Sequence, residues 1–189
     1  MPILGITASQ ITGRLAVPDT GAMFPLGMVQ VGSAGAADIT FSSIPSTYKH
    51  LQIRLFGRVN GSVTTNGTKL QLNTDTGGNY TYHTLFGNGS SATAYAETST
   101  TQNFMDKLSG ASSGANMFGT IICDILDYAN TSKYKTTRSL GGTDQNGSGV
   151  IFFTSGVWQN TAAITSIKLS PFDGYSYVQY TQAALYGIK

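Results

Sequence analysis

Between His50 and Leu55 the chain alternates strictly, with Leu51, Ile53 and Leu55 on one side and His50, Gln52 and Arg54 on the other. Successive side chains of an extended backbone point to opposite faces, so this rhythm requires a half-buried strand. Lys69–Asn73 repeats it. Tyr80–Phe86 is rich in strand formers and is bounded by Gly77-Gly78 and by Gly87-Asn88-Gly89. Shorter candidates lie at 28–31 and 38–41. The last third reads most clearly, with a strongly apolar strand at Phe118–Leu126 and further segments at 134–140, 150–158, 163–169 and 175–188. No stretch longer than about ten residues carries the 3.6-residue period of an amphipathic helix. Roughly eight to ten strands at this spacing predict an all-β, antiparallel sandwich or barrel.

Two regions depart from the rhythm. Residues 1–27 carry Gly5, Gly13, Pro18, Gly21, Pro25 and Gly27 with apolar residues between them and no sustained period. They are expected to form an extended N-terminal arm, leaving 28–189 as the sandwich domain. The arm's Ile3, Leu4, Ile6, Ile11, Leu15, Met23, Phe24 and Leu26 cannot make a core alone, so they are the candidate assembly residues, to be buried against another protein or a neighbouring copy. Residues 87–117 form a long, weakly patterned stretch, read as a loop with a broken strand near 101–108. Asp144–Gly149 resembles a calcium loop, but its glycine comes too early, and Asn146-Gly147 instead signals a hairpin turn.

The chain's chemistry is spare. Only 11% of its 189 residues are charged and the net charge is +2, so polar surface comes from Ser, Thr, Asn, Gln and Gly. That balance argues against nucleic-acid binding, which needs clustered Lys and Arg; Lys133, Lys135 and Arg138, the tightest basic group, read as a solvated strand face. Cys123 is the single cysteine, which excludes an intramolecular disulfide and suits a small buried hydrophobe. No apolar run approaches the length of a bilayer-spanning helix, so membrane insertion is not expected, and the opening residues lack a secretion-signal pattern. Folding in a reducing cytoplasm is the expectation.

Catalysis has no visible machinery. His50 and His83 sit on strands without a nucleophile elbow and are expected to be exposed strand residues. Asp124 and Asp127, the closest acidic pair, are oddly spaced on a strand and point apart, a poor geometry for paired acid–base work. Asp127 is expected to cap the turn at Tyr128-Ala129-Asn130. No catalytic, cofactor-binding or metal site is therefore assigned. Trp158 is expected to anchor the core. Alternating tyrosines suit either a subunit interface or a sugar-stacking surface, for which Tyr95, Tyr175 and Tyr177 are the candidate glycan contacts.

Several segments resemble a recurrent module of tailed-bacteriophage structural proteins. They are Ile39–Tyr48 with Leu51–Arg54, Asp124–Thr131 with Lys133-Tyr134-Lys135, Ser155–Ile167 around Trp158, and the ending Ala184–Ile188. Together they span about 28–188, and the Met1–Ile6 opening is similar to that of such proteins in aquatic phages. The resemblance implies a jelly-roll-like β-sandwich on the virion, in a tail fibre, neck appendage or capsid decoration, assembled in the host bacterial cytoplasm. The implied partners are other virion proteins and copies of the chain in a trimer or ring; a host-surface glycan bound at a fibre tip, with loops 87–117 and 141–149 as the recognition surface, is the alternative.

Overall fold

The computed structural model describes residues 22–189. Twelve strands follow one another: β1 (Met23–Gln30), β2 (Ile39–Phe41), β3 (His50–Gly57), β4 (Thr65–Leu72), β5 (Tyr80–Gly87), β6 (Ala92–Thr100), β7 (Asn103–Ser109), β8 (Gly119–Leu126), β9 (Lys135–Asp144), β10 (Gly149–Trp158), β11 (Ile167–Pro171) and β12 (Gln182–Ile188). They pair antiparallel into an eight-stranded sheet, in the order β1-β12-β3-β8-β9-β10-β5-β6, and a four-stranded sheet, β2-β11-β4-β7. The antiparallel sandwich expected from the alternation is what the chain forms. Its two layers are unequal, eight strands against four, so part of the large sheet has no facing strand.

Each alternating segment buries the face its apolar residues mark. Leu51, Ile53 and Leu55 of β3 pack with Ile121, Cys123 and Ile125 of β8 and Leu185 of β12, against Leu70, Leu72, Ile167 and Leu169 of the smaller sheet. Trp158 and Tyr80 stack in this core with ring centroids 6.3 Å apart. The indole Nε1–H reaches out to Asp75 Oδ2 at 2.7 Å, so the fully covered ring keeps its polar atom satisfied. Burial alone raises the Asp75 pKa, but donation from Trp158, Asn79 and Gly77 outweighs it and holds the carboxyl below its ordinary value.

Toward β9 and β10 the layer between the sheets changes character. Beside Phe152 and Trp158, the inward positions there are Lys135, Thr137, Ser139 and Thr143, with Thr154 and Gly156. They meet the polar side of β7 through hydrogen bonds: Ser109 with Thr143 at 2.6 Å, Asn103 Nδ2 to Thr137 at 3.3 Å, and Ser139 to the Met105 carbonyl. Lys135, expected on a wet strand face, is instead fully covered. Its ammonium donates to the Lys133 and Thr161 carbonyls, both at 3.0 Å, and its pKa is lowered, by burial first and then by Lys133. A long flexible stem can cross the layer and still bring its charge to oxygen ligands.

Several boundaries differ from the sequence expectation. The division after residue 27 falls inside β1, which pairs with β12 from Met23 onward. Residues 87–117 hold β7, at the strand expected near 101–108, and also β6, which lies outside that expectation; the remaining loop is cinched by Arg58, whose guanidinium donates to the Ala111, Ser113, Gly114 and Met117 carbonyls and to Ser113 Oγ. The small-residue composition of β6, exposed along nearly all its length, hid it from pattern reading. Toward the C-terminus, 163–166 and 175–181 are not strand: β11 starts only at Ile167, and 175–181 runs irregularly into β12, with Tyr177 bridging Ala36 and Val59.

Candidate functional site: the outer face of the large sheet

The feature that sets this sandwich apart is the β9–β10 hairpin, which carries apolar side chains on both faces. Its inward side mixes Thr137, Ser139, Thr143 and Thr154 with Lys135, Phe152 and Trp158, whereas Leu140 of β9 and Ile151 and Phe153 of β10 point away from the smaller sheet and are 44% to 60% exposed. Register extends the outward apolar side chains sideways. Ile122 lies opposite Leu140, Leu140 opposite Phe153, Phe153 opposite Leu85, and Leu85 opposite Ala94, a continuous apolar row over β8, β9, β10, β5 and β6. Residues directly opposite on neighbouring strands stand side by side on one face, about 5 Å apart. Phe56 of β3, stacked on Phe118 at 5.0 Å, widens the patch.

The few charges on this face are quieted. Arg54, opposite Ile122, sits 5.5 Å from the Tyr186 ring centroid and donates to Gln52 Oε1 at 3.0 Å. Arg138 lies 6.0 Å from the Phe153 ring centroid. Asp124 accepts from Gln52 Nε2 at 2.9 Å. Between Leu140 and Ile151 the face dips into a trough of about 690 Å³, floored by Gly142 and bordered by Gly87 and the β9–β10 turn. A side chain at Gly142 would run into the Val150 carbonyl, so the close approach of β9 to β10 requires glycine there. The trough-side turn is the Asn146-Gly147 hairpin turn read from the sequence: both central residues have positive φ, 57° and 101°, and Gln145 N–H donates to the Ser148 carbonyl at 2.8 Å.

The candidate assembly residues separate. Ile3, Leu4, Ile6, Ile11 and Leu15 lie outside the described residues. Met23, Phe24 and Leu26 belong to β1; Phe24 packs on Tyr48 at 5.6 Å and Leu26 rests against the core, so the chain's own sandwich uses these two, while Met23 is exposed. The glycan candidates separate too. Tyr177 is fully buried, its hydroxyl pKa pushed up by burial, and its ring cannot meet a sugar. Tyr175 packs against the core beside Gly61. Tyr95 alone of the three lines a surface cleft.

Other expectations are settled residue by residue. Asp127 does not cap its turn with its side chain. It pairs with Lys133 and with Lys49 at 2.8 Å, and these two hydrogen bonds, Lys133 foremost, hold its pKa down at about 2. His50 is half-buried, not exposed, because its Nδ1 accepts the Asp127 backbone N–H at 3.0 Å; His83 is exposed on β5. Cys123 is buried as a small hydrophobe.

The outward apolar row escaped sequence reading for a definite reason. Alternation in Thr137–Leu140 and Ile151–Thr154 distinguishes two faces, but nothing local says which one meets the second sheet. Compared with protein-family models, curated proteins and solved structures, the chain matches none.

Proposed function

We propose that this chain is a non-enzymatic structural protein of a bacteriophage particle, a tail-fibre, neck-appendage or capsid-decoration component that assembles through the outer face of its large sheet. The observation that carries the assembly reading is the contiguous apolar row on the outer face. Directing Ile122, Leu140, Ile151, Phe153 and Leu85 outward side by side is favourable only when another surface covers them. The occupant is a second copy of the chain. An eight-stranded face with about 4.8 Å between strands and about seven residues of length offers roughly 800 Å², the amount each partner buries in a standard interface. A net charge of +2 leaves little repulsion between copies. The phage assignment itself rests on the resemblance of the segments at 39–54, 124–135, 155–167 and 184–188. Anchorage to neighbouring virion proteins is assigned to Ile3, Leu4, Ile6, Ile11 and Leu15.

Sedimentation velocity on the purified chain is expected to show a self-associating species. Leu140→Glu and Phe153→Glu, each placing a charge on the face without touching the core, are expected to weaken it at least tenfold. A monomer at every concentration, or association indifferent to both variants, sinks the assembly reading. Antibody labelling of particles from the phage that encodes the chain tests the virion reading separately: label on the particle is expected, and label found only among unassembled proteins overturns it.

A further inference from the structure

At the open end of the sandwich the large sheet outruns the small one, and an aromatic cluster fills the step. Tyr82 of β5, Tyr95 of β6 and Phe104 of β7 meet there with centroid separations of 5.8 to 6.3 Å, and Phe172 closes the far side at 6.0 Å from Phe104. Gly67 of β4 lets Phe104 and Phe172 lie directly against the backbone, where a Cβ would meet both rings within 3 Å. The result is a cleft of about 250 Å³ lined by these rings together with Thr65, Asn66, Lys107 and Asp173, with Lys69 Nζ 5.0 Å from the Phe172 ring centroid.

The way Asp173 is held argues for more than packing. It occupies a left-handed backbone conformation, φ 59°, in the 3-10 turn Phe172–Gly174, and its Oδ2 accepts from Asn66 Nδ2 at 3.0 Å. Asn66 is 4% exposed, and its own Oδ1 is buried without a partner. A buried amide with an unsatisfied oxygen works against stability. What it accomplishes is to fix a surface carboxylate over an aromatic cleft, as a supporting residue fixes a binding group.

We infer that this cleft binds a single neutral pyranose unit of a glycan. Its volume suits one sugar ring rather than an extended ligand. A pyranose has an apolar C–H face to lie against Tyr95 and Phe172, and hydroxyls that donate to the Asp173 carboxylate and accept from the Lys107 ammonium. The inference is independent of the assembly face, which lies on the other side of the large sheet from the cleft's β7 wall.

The test is titration of the isotopically labelled full chain with the methyl glycosides of glucose, galactose, mannose and N-acetylglucosamine, each to about 50 mM, since single-sugar affinities lie near the millimolar range. At least one is expected to give saturable amide shifts confined to Gly67, Tyr95, Lys107 and Asp173. Asp173→Asn at the rim and Tyr95→Ala in the wall are expected to weaken that binding at least tenfold, the first with the rest of the spectrum unchanged and the second with changes confined to the neighbouring Tyr82, Phe86 and Phe104. Absence of saturable shifts with all four sugars, shifts centred elsewhere, or binding that survives both variants overturns the proposal.

Discussion

Asp106 is the residue where burial and charge conflict most directly. It lies between the sheets on β7; its Oδ1 accepts the Lys107 backbone N–H at 2.9 Å and its Oδ2 has no partner. Burial lifts its pKa to about 7, against the smaller opposing pull of the Lys107 amide and ammonium. Tyr95 and Cys123, the other titratable groups that feel its charge, stay protonated through this range. In the unfolded chain an aspartate titrates near about 4, so the folded form holds its proton more tightly. The stability this group contributes is fully present below about pH 4 and is lost as the pH rises through 7. Chemical denaturation between pH 5 and 8 is expected to show a fall of about 1 to 3 kcal/mol from this source. Asp106→Asn, which keeps the hydrogen bond to the Lys107 amide, is expected to flatten the fall; a slope unchanged in the variant assigns it elsewhere.

At the scale of the element, the β9–β10 hairpin depends on its turn more than most. On β9 the inward positions are hydroxyls and Lys135, so that strand's register leans on the Asn146-Gly147 turn and on the Ser139, Thr137 and Thr143 hydrogen bonds across to β7, while Phe152 and Trp158 anchor β10. Gly147 has φ 101° with open space around it, so Gly147→Ala meets no clash and carries only the backbone penalty, about 1–2 kcal/mol. Gly32 also has open space but no left-handed φ, and Gly32→Ala is expected to be neutral or slightly stabilising. Equal effects of the two substitutions in urea unfolding contradict this account of the turn. The same hairpin shows why the strand count was under-read. The sequence pattern found β9 and β10 because they alternate, and it missed β6, whose Ala, Thr and Ser residues carry no contrast between faces.

At the scale of the whole molecule, two unequal sheets leave one face and one end uncovered among the described residues, and both proposals occupy that excess. If copies associate through the outer face, folding is linked to concentration. A tenfold dilution is then expected to lower the Tm by about 2–4 °C, and Leu140→Glu/Phe153→Glu to abolish the dependence. A Tm constant over a hundredfold dilution of the unaltered chain denies the linkage. Taken alone, the sequence determined the β class, the positions of β3, β5, β8 and β10, the Asn-Gly turn and the burial of Trp158 and Cys123, because alternation, turn chemistry and apolar side chains act over a few neighbouring residues. It could not determine that Leu140 and Phe153 face outward, that Lys135 is covered, or that Asn66, Tyr95, Lys107 and Asp173 share one cleft. Those facts depend on which face of each strand meets the second sheet, and that choice is made by contacts between segments far apart in the chain.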